Sequence, residues 1–291
     1  MSSDRQTMRS SVVVTGVSTG IGNGILRQLL GAGMRVFGSV RRPQDAERLA
    51  AELGGMFVPV LFDVTDTAAV RRGAEEVRER LAGEKLAGLV NNAGVAVPGP
   101  LLEMPLQDFR RQIEVNLVSV LGVTQAFFPL LRTRADGERP ARIITISSVA
   151  GQFALPFLGP YAASKHGVEG LSDSLRRECL LNGVEVVVID PGSVATPIWA
   201  KAEQVDLSRY GGSIWLPAMT KMRDAMVTTG RRGMPPERIG GLVVRILQSR
   251  RPRPRYVVGS GRFMVWMVRH LLGARFADWV IARALGLRAT R

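Results

Sequence analysis

The chain has 291 residues, 46% of them hydrophobic and 22% charged, and its 39 Lys and Arg against 25 Asp and Glu leave a formal charge of +14. This composition suits a chain that buries a large core and excludes a disordered or disulfide-stapled one, since Cys179 is the single cysteine. The basic excess selects no partner by itself, and without a recognisable module or an aromatic-basic platform no nucleic acid is expected to bind.

The polar N-terminus, residues 1–11, runs into Val12-Val13-Val14 without the long apolar segment that a secretory signal or membrane span needs, so a cytoplasmic location is expected. Apolar and β-branched runs then predict strands over residues 11–15, 35–40, 57–62, 87–91, 142–147, 184–189 and 255–259. Between them helical periodicity covers residues 21–32, 43–53, 66–81, 105–132, 158–182 and 235–248. Nearly continuous apolar strands alternating with helices imply a parallel sheet covered on both faces. Right-handed crossovers make it an α/β, doubly wound sheet of about seven strands, in one domain spanning residues 1–291. The polar TRADGERP stretch, residues 133–140, reads as an exposed turn. Two stretches break the rhythm: residues 192–234, a candidate substrate-binding region, and residues 260–291, a candidate helical extension.

The first strand ends in Thr15-Gly16-Val17-Ser18-Thr19-Gly20-Ile21-Gly22 and leads into a helix. Glycine lets the backbone turn sharply there and lets a diphosphate approach the amides at the helix start, although the same pattern also serves an ordinary strand-to-helix turn. Tyr161 and Lys165 are spaced i, i+4, so a helix sets them on one face. A phenol titrates near 10 and is a poor base at neutrality, but a neighbouring ammonium favours phenolate and makes Tyr161 a candidate general acid/base. Ser148 can hydrogen-bond a substrate oxygen and hold it near Tyr161. The two histidines, His166 and His270, lie far apart with no cysteine cluster, and no metal site is expected.

Taken together, the glycine loop, Asn91-Asn92-Ala93-Gly94 after the fourth strand, Asn116, Ser147-Ser148 after the fifth, Tyr161-Ala162-Ala163-Ser164-Lys165 and Pro191-Gly192 after the sixth resemble the short-chain dehydrogenase/reductase family over about residues 10–260. The resemblance implies a Rossmann-type fold and hydride transfer between a nicotinamide cofactor and an alcohol or carbonyl. It implies catalytic roles for Asn116, Ser148, Tyr161 and Lys165, with Lys165 and Tyr161 also touching the cofactor. Further cofactor contacts are implied at Gly16, Ser18, Thr19, Gly20, Ile21, Gly22, Asp63, Val64, Asn92, Ala93, Gly94, Pro191, Gly192, Val194 and Thr196. Family members are commonly dimers or tetramers, so a homo-oligomer is expected.

At the end of the second strand Ser39-Val40-Arg41-Arg42 carries no acid to bind ribose hydroxyls, and Arg41 can attract a 2′-phosphate; NADP(H) is therefore preferred, with NAD(H) the alternative. Phe153, Leu155, Phe157 and Leu158 before Tyr161, and Ile198, Trp199, Tyr210, Ile214, Trp215, Leu216, Met219 and Met222 after the Pro-Gly turn, predict a pocket for a small apolar alcohol or carbonyl. The Tyr161–Cys179 stretch resembles the hydroxysteroid and retinol dehydrogenase branch, which implies steroid-, retinoid- or lipid-like substrates. Residues 263–287 are apolar but interrupted by Arg269, Arg275, Asp278 and Arg283, which leaves pocket cover, a subunit interface or peripheral membrane contact open. A non-catalytic NADP(H)-binding sensor or scaffold is the competing reading, because fold alone does not establish chemistry.

Overall fold

The computed structural model of the protein describes residues 10–136, 139–259 and 273–287. Seven strands form one parallel sheet in the order β3-β2-β1-β4-β5-β6-β7: β1 (Ser11–Val14), β2 (Arg35–Val40), β3 (Phe57–Leu61), β4 (Leu86–Asn91), β5 (Arg142–Ile146), β6 (Glu185–Pro191) and β7 (Arg255–Val258). Alternation along a strand sends Val12 and Val14 to one face and Val13 to the other.

On the first face Val12, Val14, Val36, Ile144 and Ile189 meet α1 (Gly20–Gly31) through Ile25, Leu26 and Leu29, α2 (Pro43–Leu53) through Leu49, and a helix over Pro236–Gln248 through Ile239, Val243 and Ile246. On the second, Val13, Phe37, Leu89, Ile143 and Val186 meet α3 (Thr67–Leu81) through Val70 and Val77, and the long helix of residues 106–130 through Val123 and Phe127. Each such side chain removed from water contributes about 1.5–3 kcal/mol before chain entropy is counted. The layered α/β architecture expected from the sequence is the one observed.

The helix predicted over residues 105–132 is not regular. It consists of α4 (Leu106–Ile113), a π turn over Glu114–Val118, α5 (Ser119–Phe127) and a 3-10 turn over Phe128–Leu130. By length and composition Leu106–Leu130 would suffice to cross a bilayer, and here it lies against the sheet. Next come α6 (Gly159–Glu178), α7 (Ile198–Glu203), α8 (Leu216–Arg231), α9 (Pro236–Gln248) and α10 (Ala274–Leu285). α1 and α9 approach so closely that a Cβ on Gly240 would lie 2.5 Å from the Gly24 carbonyl oxygen. Of the expected C-terminal extension, residues 260–272 and 288–291 lie outside the described residues, and the rest is α10, packed on α8.

The chain runs β1, β2, β3 outward on one side and returns to β4 on the other side of β1. This switch of direction opens a crevice at the carboxyl ends of β1 and β4. The glycine loop sits there.

Candidate active site

The glycine loop is held from below by side chains. The Gly16 amide donates to Ser39 Oγ at 3.0 Å, and Thr15 Oγ1 accepts from the amides of Asn92 at 2.9 Å and Ala93 at 3.0 Å. Asn92 Nδ2 in turn donates to the carbonyls of Thr15 and Gly16 at 2.8 and 3.1 Å. Gly16 has φ +71°, and a Cβ on Gly22 would stand 2.2 Å from the Gly16 oxygen, so neither position accommodates a side chain.

Thr19 precedes α1 in an extended conformation, makes no side-chain capping bond, and the first turn carries no acid. The amides at the start of α1 therefore face the crevice as donors suited to an anion. Thr196 approaches from the loop after β6: a Cβ on Gly20 would lie 3.5 Å from its side chain. That loop is fixed by backbone bonds from Met234 to Ser193, from Ala195 to Met234 and from Gly192 to Val258, and by Trp199 Nε1 donating to the Val194 carbonyl at 2.6 Å. The residues present thus fit a dinucleotide, with a cradle only glycine can line.

At the ribose end of this crevice, Val40 is buried and Arg41 is exposed, its guanidinium 3.8 Å from Asp63. Burial alone would raise the Asp63 carboxyl, but hydrogen bonds from Thr65 and the Arg41 charge hold it below the usual range. Val64, paired with Asp63 in the sequence reading, packs partly into the second core layer. Arg48, on α2, was not singled out from the sequence; its Nη2 donates to the Ser18 carbonyl at 3.2 Å.

Ser148 closes β5, where its Oγ accepts from the Ala150 amide at 3.1 Å and its hydroxyl is hydrogen-bonded with the Tyr161 phenol. Tyr161 opens α6, and one turn on, Lys165 is buried with its ammonium donating to the Ile146 carbonyl at 2.8 Å, 5.8 Å from the centre of the Tyr161 ring. Ser148, Tyr161 and Lys165 are brought together as expected. Their electrostatics differ from the expectation: burial pushes the Tyr161 phenol up, only partly opposed by the Ser148 bond, and lowers Lys165 to about 8. In the protein alone Tyr161 is therefore held as a neutral phenol, because desolvation outweighs the Ser148 hydrogen bond.

Asn116 lies in the π turn, buried, with Oδ1 accepting from the Val95 amide and Nδ2 donating to the Val95 carbonyl, both at 2.9 Å, and to Ser164 Oγ at 3.1 Å. One turn earlier Gln112, also fully buried, accepts from Val97 at 2.7 Å and donates to the Val95 carbonyl. The two amides pin the strand-to-helix loop after Gly94 against α6. Gln112 was missed in the sequence, though two amides spaced i, i+4 in an apolar helix mark a satisfied inner face.

Beside Tyr161 lies a third apolar cluster of Phe157, Leu158, Tyr210, Ala218, Met219 and Met222, bordered by Leu155, Trp215, Met226 and Leu285. Phe157 holds φ +63°, a strained value for a buried aromatic, and its carbonyl accepts from Gly99. Five residues expected in this pocket are not part of the cluster: Phe153 and Leu216 lie outside it, Ile198 and Ile214 are 42% and 82% exposed, and the Trp199 ring covers Gly230, fastening α7 to α8. Among the described residues no group of three or more His, Cys, Asp or Glu side chains is arranged to hold a metal ion.

The profile of the short chain dehydrogenase family matches residues 10–206. The NADPH-dependent 3-dehydrocapnine reductase of Ornithobacterium rhinotracheale is 37% identical over 273 residues, covering 94% of this chain and 96% of that protein. Human retinol dehydrogenase 5 is 32% identical, covering 97% and 92%. A short-chain dehydrogenase/reductase from Burkholderia phymatum, solved in complex with NAD, shares the fold with a TM-score of 0.76 at 22% identity over 94% of this chain and 95% of that one. Fold, strand-end motifs and sequence relatives converge: the chain belongs to the short-chain dehydrogenase/reductase family of NAD(P)-dependent oxidoreductases.

Proposed function

We propose that the protein moves a hydride between NADP(H) and the alcohol or carbonyl of an apolar, steroid-, retinoid- or lipid-like substrate. The observation that carries this reading is the convergence of the Ser148 hydroxyl, the Tyr161 phenol and the Lys165 ammonium beside a glycine-lined crevice, with the Met219 and Met222 cluster adjoining. When bound, the nicotinamide supplies or accepts the hydride. Ser148 orients the substrate oxygen, and Tyr161 gives it a proton as the carbonyl is reduced. A phenol kept neutral by burial is in the competent state for that direction. Lys165 holds the nicotinamide ribose and lowers the cost of phenolate once the proton has left, while Asn116 keeps the neighbouring loop in place. Gly16, Ser18, Thr19, Gly20, Ile21 and Gly22 hold the diphosphate, with Asn92, Ala93, Gly94 and the Pro191–Thr196 loop around the nicotinamide side and Asp63 and Val64 at the adenine.

Preference for NADP(H) is supported by Arg41 and Arg48 flanking the loop, by the absence of an acid at Val40, and by the NADPH-dependent relative. The test is oxidation of NADPH and NADH by the purified protein with steroid ketones, retinal, and medium-chain aldehydes and ketones. Turnover with NADPH on one apolar class is expected. Tight NADPH binding with no turnover anywhere in the panel would favour the sensor or scaffold reading.

A cytoplasmic protein with peripheral lipid contact is the reading we favour for location. α10 buries Ala277 and Leu285 against α8 but turns Phe276, Trp279 and Val280 outward beside Arg275 and Arg283. Co-sedimentation with anionic but not neutral vesicles, lost in Trp279→Ser, is the expected result. Exposed Val118 and Leu121 on the long helix support a homodimer or homotetramer, which light scattering of the pure protein measures directly.

A further inference from the structure

One turn beyond Lys165, beside Arg255, two buried carboxyl groups meet. Asp190 ends β6 and is fully buried; Glu169 lies one turn beyond Lys165 on α6 and is 9% exposed. Both face the same Arg255 guanidinium, at 2.5 and 3.8 Å, and two buried carboxyls drawn to one cation favour a single shared proton over two full negative charges. The ordinary donors around them do not fill the need. Gln152 Nε2 donates to Asp190 Oδ2 at 2.5 Å and Arg255 pairs with Glu169 Oε2, but Asp190 Oδ1 and Glu169 Oε1 are buried without a hydrogen-bond partner.

The charges around the pair can be named element by element. Arg255 on β7 forms an ion pair with Glu169 at 2.5 Å and lies 3.8 and 3.9 Å from Asp190 and Asp173. On α6, Lys165 feels both carboxyls, His166 turns its Nδ1 to the Ala162 carbonyl, and Asp173 is half-exposed. A cleft of about 410 Å³ opens alongside, lined by Gln152, His166, Glu169, Asp173 and Arg255, and it shares no lining residue with the glycine loop or the Met219 cluster. Burial and the neighbouring Glu169 both push Asp190 well above the carboxylate range, and the same two acids oppose the loss of charge that burial imposes on Lys165.

We propose that Glu169 and Asp190 are a proton-sharing positioning pair for Lys165, which releases its shared proton through the cleft beside Arg255 and so keeps the lysine charged when the medium turns alkaline. The balance is simple. One proton leaves the O–H···O bond to solvent, no other bond is made or broken, and the pair passes from one negative charge to two beside the ammonium. This inference rests on the role proposed above for Lys165.

The first experiment needs no substrate. Infrared titration of the whole protein should show the carbonyl stretch of a protonated, buried carboxyl that disappears on the alkaline side, and the band should be missing at neutral pH in both Glu169→Gln and Asp190→Asn, where an amide takes the place of the shared proton. A wild-type protein without such a band, or a band that persists in both variants, overturns the proposal, and the wild-type arm decides even if a variant fails to fold. The second is the pH profile of kcat/KM with NADPH and the best carbonyl of the panel. Each single variant should keep turnover near neutrality and lose it at lower pH than wild type, with the alkaline limb displaced by about one unit, since a pair fixed at one charge supports the ammonium less. A uniform fall with an unmoved limb means that the acids only hold the fold, and overturns the proposal. If the wild type turns over nothing, the oxidoreductase reading of the site fails while the infrared result still judges the pair.

Discussion

Around the glycine loop side chains fix the backbone that frames it: Ser39 holds Gly16, Thr15 holds Asn92 and Ala93, and Asn92 holds Thr15 and Gly16 in return. Between residues 198 and 231 the chain instead runs through two helices, α8 seated on an apolar cluster and α7 fastened to it by Trp199 laid on Gly230, with Ile214 in solvent. The first region is a rigid mould for a group of constant shape. The second is a set of packed apolar faces, where Met219, Met222 and Met226 supply unbranched, adaptable surface. A cofactor common to many enzymes and a substrate peculiar to one place different demands on the chain.

The two regions meet at Tyr161, where the largest effect is expected. Tyr161→Phe should lower kcat by on the order of 10³-fold, measured by NADPH oxidation, while fluorescence titration shows cofactor binding intact. Full activity in this variant would remove Tyr161 from the mechanism.

Lys165→Met should also lose turnover yet be more stable at neutral pH. The folded-state value of about 8 lies below lysine's ordinary 10.5, so burying the ammonium opposes folding, fully so below about 8 and fading as the pH rises toward 10.5. The effect is on the order of 3 kcal/mol at most. Thermal midpoints of both proteins across this range should converge as the solution becomes alkaline.

Gly22→Ala places a Cβ 2.2 Å from the Gly16 oxygen and 2.5 Å from Asn92 Nδ2, and the mould must open. A stability loss of about 1–3 kcal/mol and at least tenfold weaker cofactor binding are expected by denaturant titration and calorimetry. Arg41→Ala should weaken NADPH by roughly tenfold and NADH hardly at all, which is one charge-assisted contact to a phosphate; equal losses would mean that Arg41 serves only Asp63. Smallest of all, Ile214→Ala should change neither KM nor stability beyond about 0.5 kcal/mol, because the side chain is already in water.

These two regions also differ in how far the sequence revealed them. Strands such as Val12-Val13-Val14 are apolar on both faces, and the motif residues sit at strand ends where sterics allow few alternatives, so sheet, crossovers and the Ser148–Tyr161–Lys165 grouping were all legible. Residues 192–234 carry no such constraint. Their hydrophobic residues divide between pocket, helix contact and solvent according to tertiary packing, and nothing local in Trp199 or Ile214 tells which. The electrostatic sign at Tyr161 was misread for a related reason: i, i+4 spacing reports that Lys165 is near, but not that both groups are stripped of water. Ser39 and Arg48 were passed over because their partners lie 23 and 30 residues away, beyond any local pattern, and the i, i+4 spacing of Gln112 and Asn116 marks an inner face without naming the loop it holds.

The π turn at Glu114–Val118 makes chain length itself a functional quantity. The Ser119 amide bonds to the Glu114 carbonyl, five residues back, so the turn holds one residue more than an α-helical turn would. Gln112 and Asn116 reach the Val95 loop from the near side of that surplus, and Val123 and Phe127 reach the sheet from the far side. Deleting a single residue here would yield a straighter helix with better internal hydrogen bonds, and would rotate one half against the other by about 100°. Either Asn116 would swing away from Val95 and Ser164, or α5 would turn its apolar stripe off the sheet. A more regular helix would thus be the poorer one, and homologous chains that align without a gap across residues 112–127 share a constraint on length that no individual side chain expresses.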